Sequence, residues 1–475
     1  MMINTFDIVY FSLIILLIVS LFFLNEVIFL FKKNIFLKRN NNTSEAFDDL
    51  EEEIKGIRMV LLTVVGLSLI IYFGYPSIQK AGLEGHFMEW LNLVVRWVHV
   101  VLGIAWIGAS FYFIFLENSL NRTKNLRDEL AGNLWAIHGG GFYYIEKYKG
   151  APEKLPEKLH WFKYEAYFTW LSGCLLLMLV YYMNAKSFMV DPEVKNIKPG
   201  IAVLIGISSL VAGWFIYDLM CRSSLLKKPK LFGIIGFFIL VLISFFLSQY
   251  LSGRAAFIHV GALLGTIMAG NVFFVIIPSQ KSLVNAARKN LPPNLEQAKY
   301  AGLRSLHNNY IVLPVIFVMI SNHFPGTFAP TFNWAILAGL TIGSVAVRHY
   351  INLYEKEKAD GWFLAIGAIS LFALVFVTSP SSLKKNTTPI SFNELKPIFQ
   401  KRCESCHSSH PTDDIQKIAP NGIVFDTPEQ IAKMSERIMF RVVQTKTMPQ
   451  GNKTGITEAE REMIGRWITQ GARVN

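Results

Sequence analysis

SGRAAFIHVGALLGTIMAGNVFFVIIPSQ, residues 252–280, decides the architecture: past Arg254 it holds no Asp, Glu, Lys or Arg before Lys281. An uncharged, mostly apolar run of this length matches the ~20 residues a helix needs to cross a hydrocarbon core. Working outward, such runs recur near 7–31, 56–75, 90–116, 164–183, 200–220, 231–250, 256–278, 308–323, 332–348 and 361–379, giving ten candidate spans. The eighth is the weakest, because Asn308, Asn309 and Pro314 interrupt it. The composition agrees: 52% of the 475 residues are hydrophobic, 37 are Phe, and the mean hydropathy is +0.36. A soluble core cannot hide that much apolar surface, whereas a bilayer can. The first run is too long for a cleaved signal and no Lys or Arg precedes it, so it is expected to stay as a helix.

The net charge of +12 does not point to nucleic acid, because Lys and Arg recur in the short gaps between apolar runs and do not gather in one domain. Loops 32–58, 117–163, 221–230, 279–308 and 348–360 hold 26 of them, and the intervening loops five. This alternation puts the rich loops in the cytoplasm. The N-terminus is then outside, and ten spans return the segment after Pro380 to the outside too. Residues 1–80 read as an extension with two spans and a polar linker at 38–53, residues 81–380 as the membrane domain, and 386–475 as a small soluble helical domain. The expected class is all-α.

Four cysteines divide into two kinds. Cys174 and Cys221 lie in or beside apolar helices and read as small buried hydrophobes. Cys403-Glu404-Ser405-Cys406-His407 is the C-x-x-C-H pattern of covalent haem attachment: two thiols for the porphyrin vinyl groups and an adjacent imidazole for the iron. A zinc site would want a second C-x-x-C, and a redox dithiol does not need the trailing His. Met448, in Lys446-Thr447-Met448-Pro449, is the preferred sixth ligand. Met434 and Met439 fall within an amphipathic stretch where Met usually packs, and His410 is too near His407 to reach the opposite haem face. Ser391-x-x-Glu394 and Thr457-x-x-Glu460 read as capping boxes, opening helices that present Leu395, Ile398 and Phe399, and Met463, Ile464, Trp467 and Ile468. Two helices crossing beside a haem is the cytochrome c plan.

Ionisable residues inside spans mark functional candidates. Arg96, His99, Gly103, Trp106 and Ser110 share one helical face of the third span, and His259 and Gly261 precede Asn271 in the seventh. His99 and His259 fall within about 6 Å of one depth. They are candidate ligands of a haem b; the plainer reading is a pair of hydrogen-bonded histidines tying helices together. On the cytoplasmic side, His138, Gly139, Gly140, Gly141 and Tyr143, then Lys163, Arg304, His307 and His349, combine a backbone that lets a ligand approach, stacking faces and cations. Such a set suits a flat anionic heterocycle, the alternative being an interfacial aromatic belt with positive-inside charges. No strand is expected before the glycines, which argues against a nucleotide loop.

RWVHVVLGIAWIGASFYF (96–113), WAIHGGGFYYIEKY (135–148), HWFKYEAYFTWLSG (160–173), residues 252–280 above, RSLHNNYIVLPVIFVMISNHFP (304–325) and VRHY (347–350) closely resemble the bacterial membrane-bound urate oxidase (urate hydroxylase) family. That family joins a multi-span domain to a C-terminal cytochrome c. The resemblance implies an enzyme of the bacterial inner membrane that oxidises urate to 5-hydroxyisourate. Electrons would pass through one haem c to a soluble or membrane acceptor, such as a cytochrome c or terminal oxidase, without forming peroxide. A remoter likeness to copper-resistance and protoporphyrinogen-oxidase membrane proteins adds weight to His99 as a haem b ligand. Under this reading His138, Tyr143, His307 and His349 are catalytic candidates; Gly139, Gly140, Gly141, Lys163 and Arg304 bind substrate; Cys403, Cys406, His407 and Met448 hold haem c. Residues 1–80 are not part of the family's core. The alternative from another class is an electron-transfer subunit that oxidises quinol or serves a partner dehydrogenase.

Overall fold

The structure, a computed structural model, describes residues 74, 76–123, 125–156, 158–379 and 389–474. The expected spans at 7–31 and 56–75, Gly74 excepted, and the linker at 38–53 lie outside the described residues.

Each of the other eight apolar runs forms a helix. Seven are long and apolar enough to cross a membrane: α1 (Glu84–Ser119), α2 (Tyr164–Tyr182), α3 (Pro199–Arg222), α4 (Pro229–Tyr250), α5 (Gly253–Arg288), α6 (Leu295–Ser321) and α7 (Asn333–Tyr354). The eighth, α8 (Gly361–Val377), has 17 residues. Their starts are written locally. Pro199 and Pro229 occupy first-turn positions, where the missing N–H costs nothing. Side-chain oxygens of Ser252, Asn294 and Asp360 accept from backbone N–H groups of the first turns of α5, α6 and α8. Pro314 sits inside α6 without ending it.

Helix α5 is the axis of the bundle. Ala255, Phe257, His259, Val260 and Leu263 are each at most 2% exposed, and α2, α3, α4 and α6 pack around them. Phe238 and Leu242 on α4, and Phe372 and Phe376 on α8, are about two-thirds exposed. Large apolar side chains on outer faces are what a hydrocarbon solvent would cover.

The expectation of an all-α chain needs one correction, in the segment read as a loop. Leu130–His138 (β1) and Gly141–Tyr148 (β2) form an antiparallel hairpin, with His138 opposite Gly141. Gly139 and Gly140 both have positive φ, +57° and +81°. Two such residues in a row build the tight turn whose twist matches paired strands, which glycine adopts without strain. The triple glycine is thus a hairpin signal, and the β-branched and aromatic residues flanking it are ordinary strand formers.

Towards the C-terminus lie α9 (Phe392–Arg402), α10 (Pro428–Lys433) and α11 (Glu458–Thr469). Both expected capping boxes form, and a third, Thr427 with Gln430, opens α10. Phe392, Phe399 and Trp467 make a triangle of rings with centroids 5.6–6.2 Å apart. Burying side chains of this size contributes roughly 1.5–3 kcal/mol each.

By compactness the chain divides into a unit of 1–94 with 409–423 and a larger unit of 95–408 with 424–475. Within the described part of the first, Asp413 Oδ1 accepts from the N–H groups of Ile415 and Gln416, and Gly85 abuts Lys417. The larger unit holds the bundle and most of the C-terminal helices.

Candidate functional site

Two polar clusters lie buried where α6 meets its neighbours. In the first, the Arg304 guanidinium is wholly buried and its Nη2 donates to Asp218 Oδ1 of α3 at 2.6 Å. Nη1 donates to Asn271 Oδ1 at 3.0 Å, and the group also bonds the Tyr300 hydroxyl. Asn271 Nδ2 reaches both Tyr217 Oη (3.0 Å) and Asn308 Oδ1 (2.8 Å). His307 Nδ1 lies 2.8 Å from Tyr217 Oη, and its ring stacks on Phe232 at 4.7 Å. Beside this cluster is a cleft of about 540 Å³ bordered by Cys221, Arg222, Lys227, Phe274, Gln297 and Tyr300. Arg304 was expected to bind a substrate anion, but here its charge is met by Asp218, which also accepts from Arg222 at 2.6 Å. Asp218, an acid inside an apolar run, carried the sequence signal that would have found it.

The second cluster is on the other side of α6. Arg348 Nε donates to Asn309 Oδ1, and Asn309 Nδ2 donates to Asn352 Oδ1 at 3.0 Å. The guanidinium carbon sits 4.3 Å from the Phe111 ring centre on α1. One residue further along α7, His349 Nδ1 is 2.6 Å from Tyr310 Oη. Arg304 and His307 are therefore brought together through Tyr217, and His349 belongs to a different helix pair.

The remaining cytoplasmic candidates are placed elsewhere. Lys163 precedes α2, buried, with its Nζ 5.0 Å from the Tyr164 ring centre. His138 and Tyr143 lie at the hairpin tip and are exposed, together with Trp135, Ile137 and Phe142. A Cβ on Gly139 or Gly140 would meet nothing within 4 Å, so these glycines serve the turn's conformation and not a close approach within the fold.

His99 and His259 each face a glycine on a neighbouring helix. His99 Nδ1 is 3.1 Å from Thr169 O and 3.0 Å from Ser172 Oγ, with its ring against Gly173 of α2. His259 Nδ1 donates to Ala255 O at 2.8 Å, which leaves Nε2 as the acceptor of the Tyr182 hydroxyl at 3.2 Å. That same Nε2 lies only 2.4 Å from where a Cβ on Gly206 would stand. An imidazole flush against a helix backbone, with its lone pair already used, does not fit iron ligation in this arrangement.

The C-terminal segment presents a different picture. Cys403 ends α9, and the backbone N–H groups of Cys406 and His407 turn back to its carbonyl. Neither cysteine is in a disulfide. Burial pushes the Cys403 thiol up to about 12, helped by the nearby Glu404 charge. A thiol held protonated is a poor exchange nucleophile, which weighs against a redox dithiol. The His407 ring lies 5.0 Å from Phe425, whose N–H donates to His407 O. Met448 is held from below: Arg461 Nη1 donates to the carbonyls of Met448 (2.7 Å) and Val442 (2.5 Å). Arg461 is 2% exposed, and its Nη2 and Nε face the carboxylates of Glu193 at 3.7 Å and Glu458 at 3.8 Å. Two thiols, an adjacent imidazole and a thioether on a braced backbone are the donor set that a covalently attached haem would need. Next to Met448, Gly451 has φ +56° and would bring a Cβ to 2.9 Å from Val190 O, while Asn452 Nδ2 donates to Glu193 Oε1 at 3.0 Å.

The described residues make a mostly helical protein with seven helices long and apolar enough to cross a membrane, buried arginine–carboxamide clusters among them, and a C-x-x-C-H segment beyond. The chain belongs to the family described as Urate oxidase N-terminal, whose model matches residues 85–379. No curated protein and no solved structure matches it.

Proposed function

We propose that the chain is a membrane-embedded urate-oxidising enzyme that delivers electrons to a covalently held haem c. The observation that carries this reading is the family match, which spans α1 to α8. The reaction is a two-electron oxidation: urate and water give 5-hydroxyisourate, two protons and two electrons, so no peroxide need form. A haem held by Cys403, Cys406, His407 and Met448 would accept those electrons one at a time and pass them to a soluble or membrane acceptor. The chain's own contribution is to bind and orient the heterocycle, exclude bulk water, and take up the released protons. His307 and His349 are the imidazoles among the helices suited to that last task, each with a tyrosine hydroxyl on one nitrogen. Charge alternation supports an orientation in the bacterial inner membrane with these clusters near the cytoplasmic face and the haem segment outside.

The test is anaerobic mixing of the purified protein with urate. Reduction of the haem c absorption at two electrons per urate is expected. An unchanged, oxidised spectrum sinks the reading, and reduction by quinol alone makes the chain an electron-transfer subunit. A pyridine haemochrome spectrum on the same sample should give one haem c per chain.

A further inference from the structure

The Arg348 cluster has a particular pattern of used and unused atoms. Asn309 Oδ1 accepts from Arg348 Nε, and Asn352 Oδ1 accepts from Asn309 Nδ2. The carboxamide oxygens are thereby occupied, and each carboxamide is fixed against flipping, since a flip would set donor against donor. What remains is two donors: Arg348 Nη2 and Asn352 Nδ2 are buried and have no hydrogen-bond partner among the described residues. The residues themselves are 2% and 6% exposed. Leaving a buried cation with an unmet N–H is costly, and the group that meets such an N–H contributes correspondingly more.

Charge points the same way. Arg304 has a carboxylate at 2.6 Å, whereas Arg348 has no ion pair within 4.0 Å among the described residues. Glu355 acts on Arg348 through its charge without pairing with it, and its Oε2 accepts from Asn118 Nδ2 at 2.7 Å. A site with a net positive charge and only donors to offer is complementary to a ligand that only accepts. The Phe111 ring across the guanidinium adds an apolar, flat wall.

We propose that Arg348 Nη2 and Asn352 Nδ2, backed by Asn309 and walled by Phe111, form the seat for the anionic edge of the heterocyclic substrate. Urate at neutral pH is a flat monoanion whose adjacent ring nitrogen and carbonyl oxygen accept side by side, and Arg348 and Asn352, four residues apart on one face of α7 and both bonded to Asn309, offer it two N–H donors. The assignment rests on the reading of the chain as a urate oxidiser, and it moves the anion-binding role from Arg304 to Arg348.

The experiment uses the full chain, haem included, and reads both urate-dependent haem reduction and the rise in melting temperature on anaerobic addition of urate. Arg348→Gln is expected to raise KM at least about tenfold, with Arg348→Lys intermediate, because one hydrogen bond to a charged group is removed. Asn352→Asp is the sharper variant: its carboxylate neutralises Arg348, so the fold keeps or gains stability while urate is repelled and KM rises by a similar factor. If wild type oxidises urate and Arg348→Gln and Asn352→Asp both keep its KM, the seat is wrong and the function stands. If urate does not reduce the haem but raises the melting temperature of wild type and not of Asn352→Asp, the seat stands and the function falls. Neither reduction nor a shift in wild type overturns both.

Discussion

Asn308 and Asn309, adjacent on α6, serve different partners: Asn308 Oδ1 accepts from Asn271 on α5 at 2.8 Å, and Asn309 Nδ2 donates to Asn352 on α7 at 3.0 Å. Successive side chains on a helix diverge by about 100°, so one dipeptide can fasten two interfaces. Asn308→Ala and Asn309→Ala should each cost about 1–3 kcal/mol, since each strands buried partners. Because the partners do not overlap, the double variant should lose close to the sum in thermal or denaturant unfolding. A coupling above about 1 kcal/mol would show that the two clusters act as one.

The Asp218–Arg304 pair predicts a sharp asymmetry. Asp218→Ala leaves a buried guanidinium without its carboxylate and should destabilise by about 3–5 kcal/mol. Replacing both by apolar residues of similar volume should recover much of that. Melting temperature of the detergent-solubilised protein checks both, and urate turnover in the double variant checks whether Arg304 is structural.

At the hairpin tip, Gly139→Asn should be tolerated, because Asn visits positive φ readily, while Gly139→Val should destabilise the turn by about 1–2 kcal/mol. Limited proteolysis within 130–148 reads the difference. Wild-type turnover in the Asn variant would assign the glycine to backbone geometry; loss of turnover with an intact hairpin would assign it to ligand contact.

Glu460 gives the C-terminal helices an acid limit. Burial alone would raise its pKa, but the Thr457 N–H and hydroxyl and the Arg402 guanidinium at 3.1–3.2 Å together hold it below the usual carboxylate value. A depressed folded-state pKa means the stabilisation is complete above the unfolded value near 4.3 and fades as pH falls through the lower folded one. An acid titration of unfolding should show this loss, roughly 0.5–1 kcal/mol, and Glu460→Gln should remove the pH dependence.

Arg461 positions Met448 through its backbone and does not touch the thioether in the contacts described. Arg461→Met should loosen the 442–448 segment and lower the haem c reduction potential, as weakening of a thioether ligand does, with Arg461→Lys in between. Met448→His should lower it further while haem content stays constant. A potential unmoved in all three variants would remove Met448 from the ligand set.

What the sequence disclosed follows from which signals are local. Apolar length, first-turn prolines and capping boxes are written within a few residues, and α1 to α9 and α11 lie over the stretches they mark, although α6 starts at Leu295, ahead of the expected 308, and α8 is shorter than the other spans. The GGG turn was equally local but was read for ligand approach, because its flanking aromatics fit a binding surface as well as they fit strands. Partnering was not legible. Nothing near Arg304 announces Asp218, 86 positions away, and nothing near Arg348 announces that it has no ion pair among the described residues. The sequence cannot say which cation buried among the helices is already neutralised, and that decides which one is available to a ligand.

The backbone seat of Gly451 against Val190 has a kinetic corollary. Both surfaces belong to one chain, so their meeting is unimolecular and indifferent to protein concentration. It joins carbonyl packing around Gly451 to an Asn452–Glu193 hydrogen bond and an Arg461–Glu193 pair, and because its two sides are tethered it should be less sensitive to ionic strength than the steering of a separate carrier protein. Under the proposed function, electron transfer into the C-terminal segment should therefore keep its rate as salt is raised, and a salt dependence of overall turnover would report a later encounter with an external acceptor.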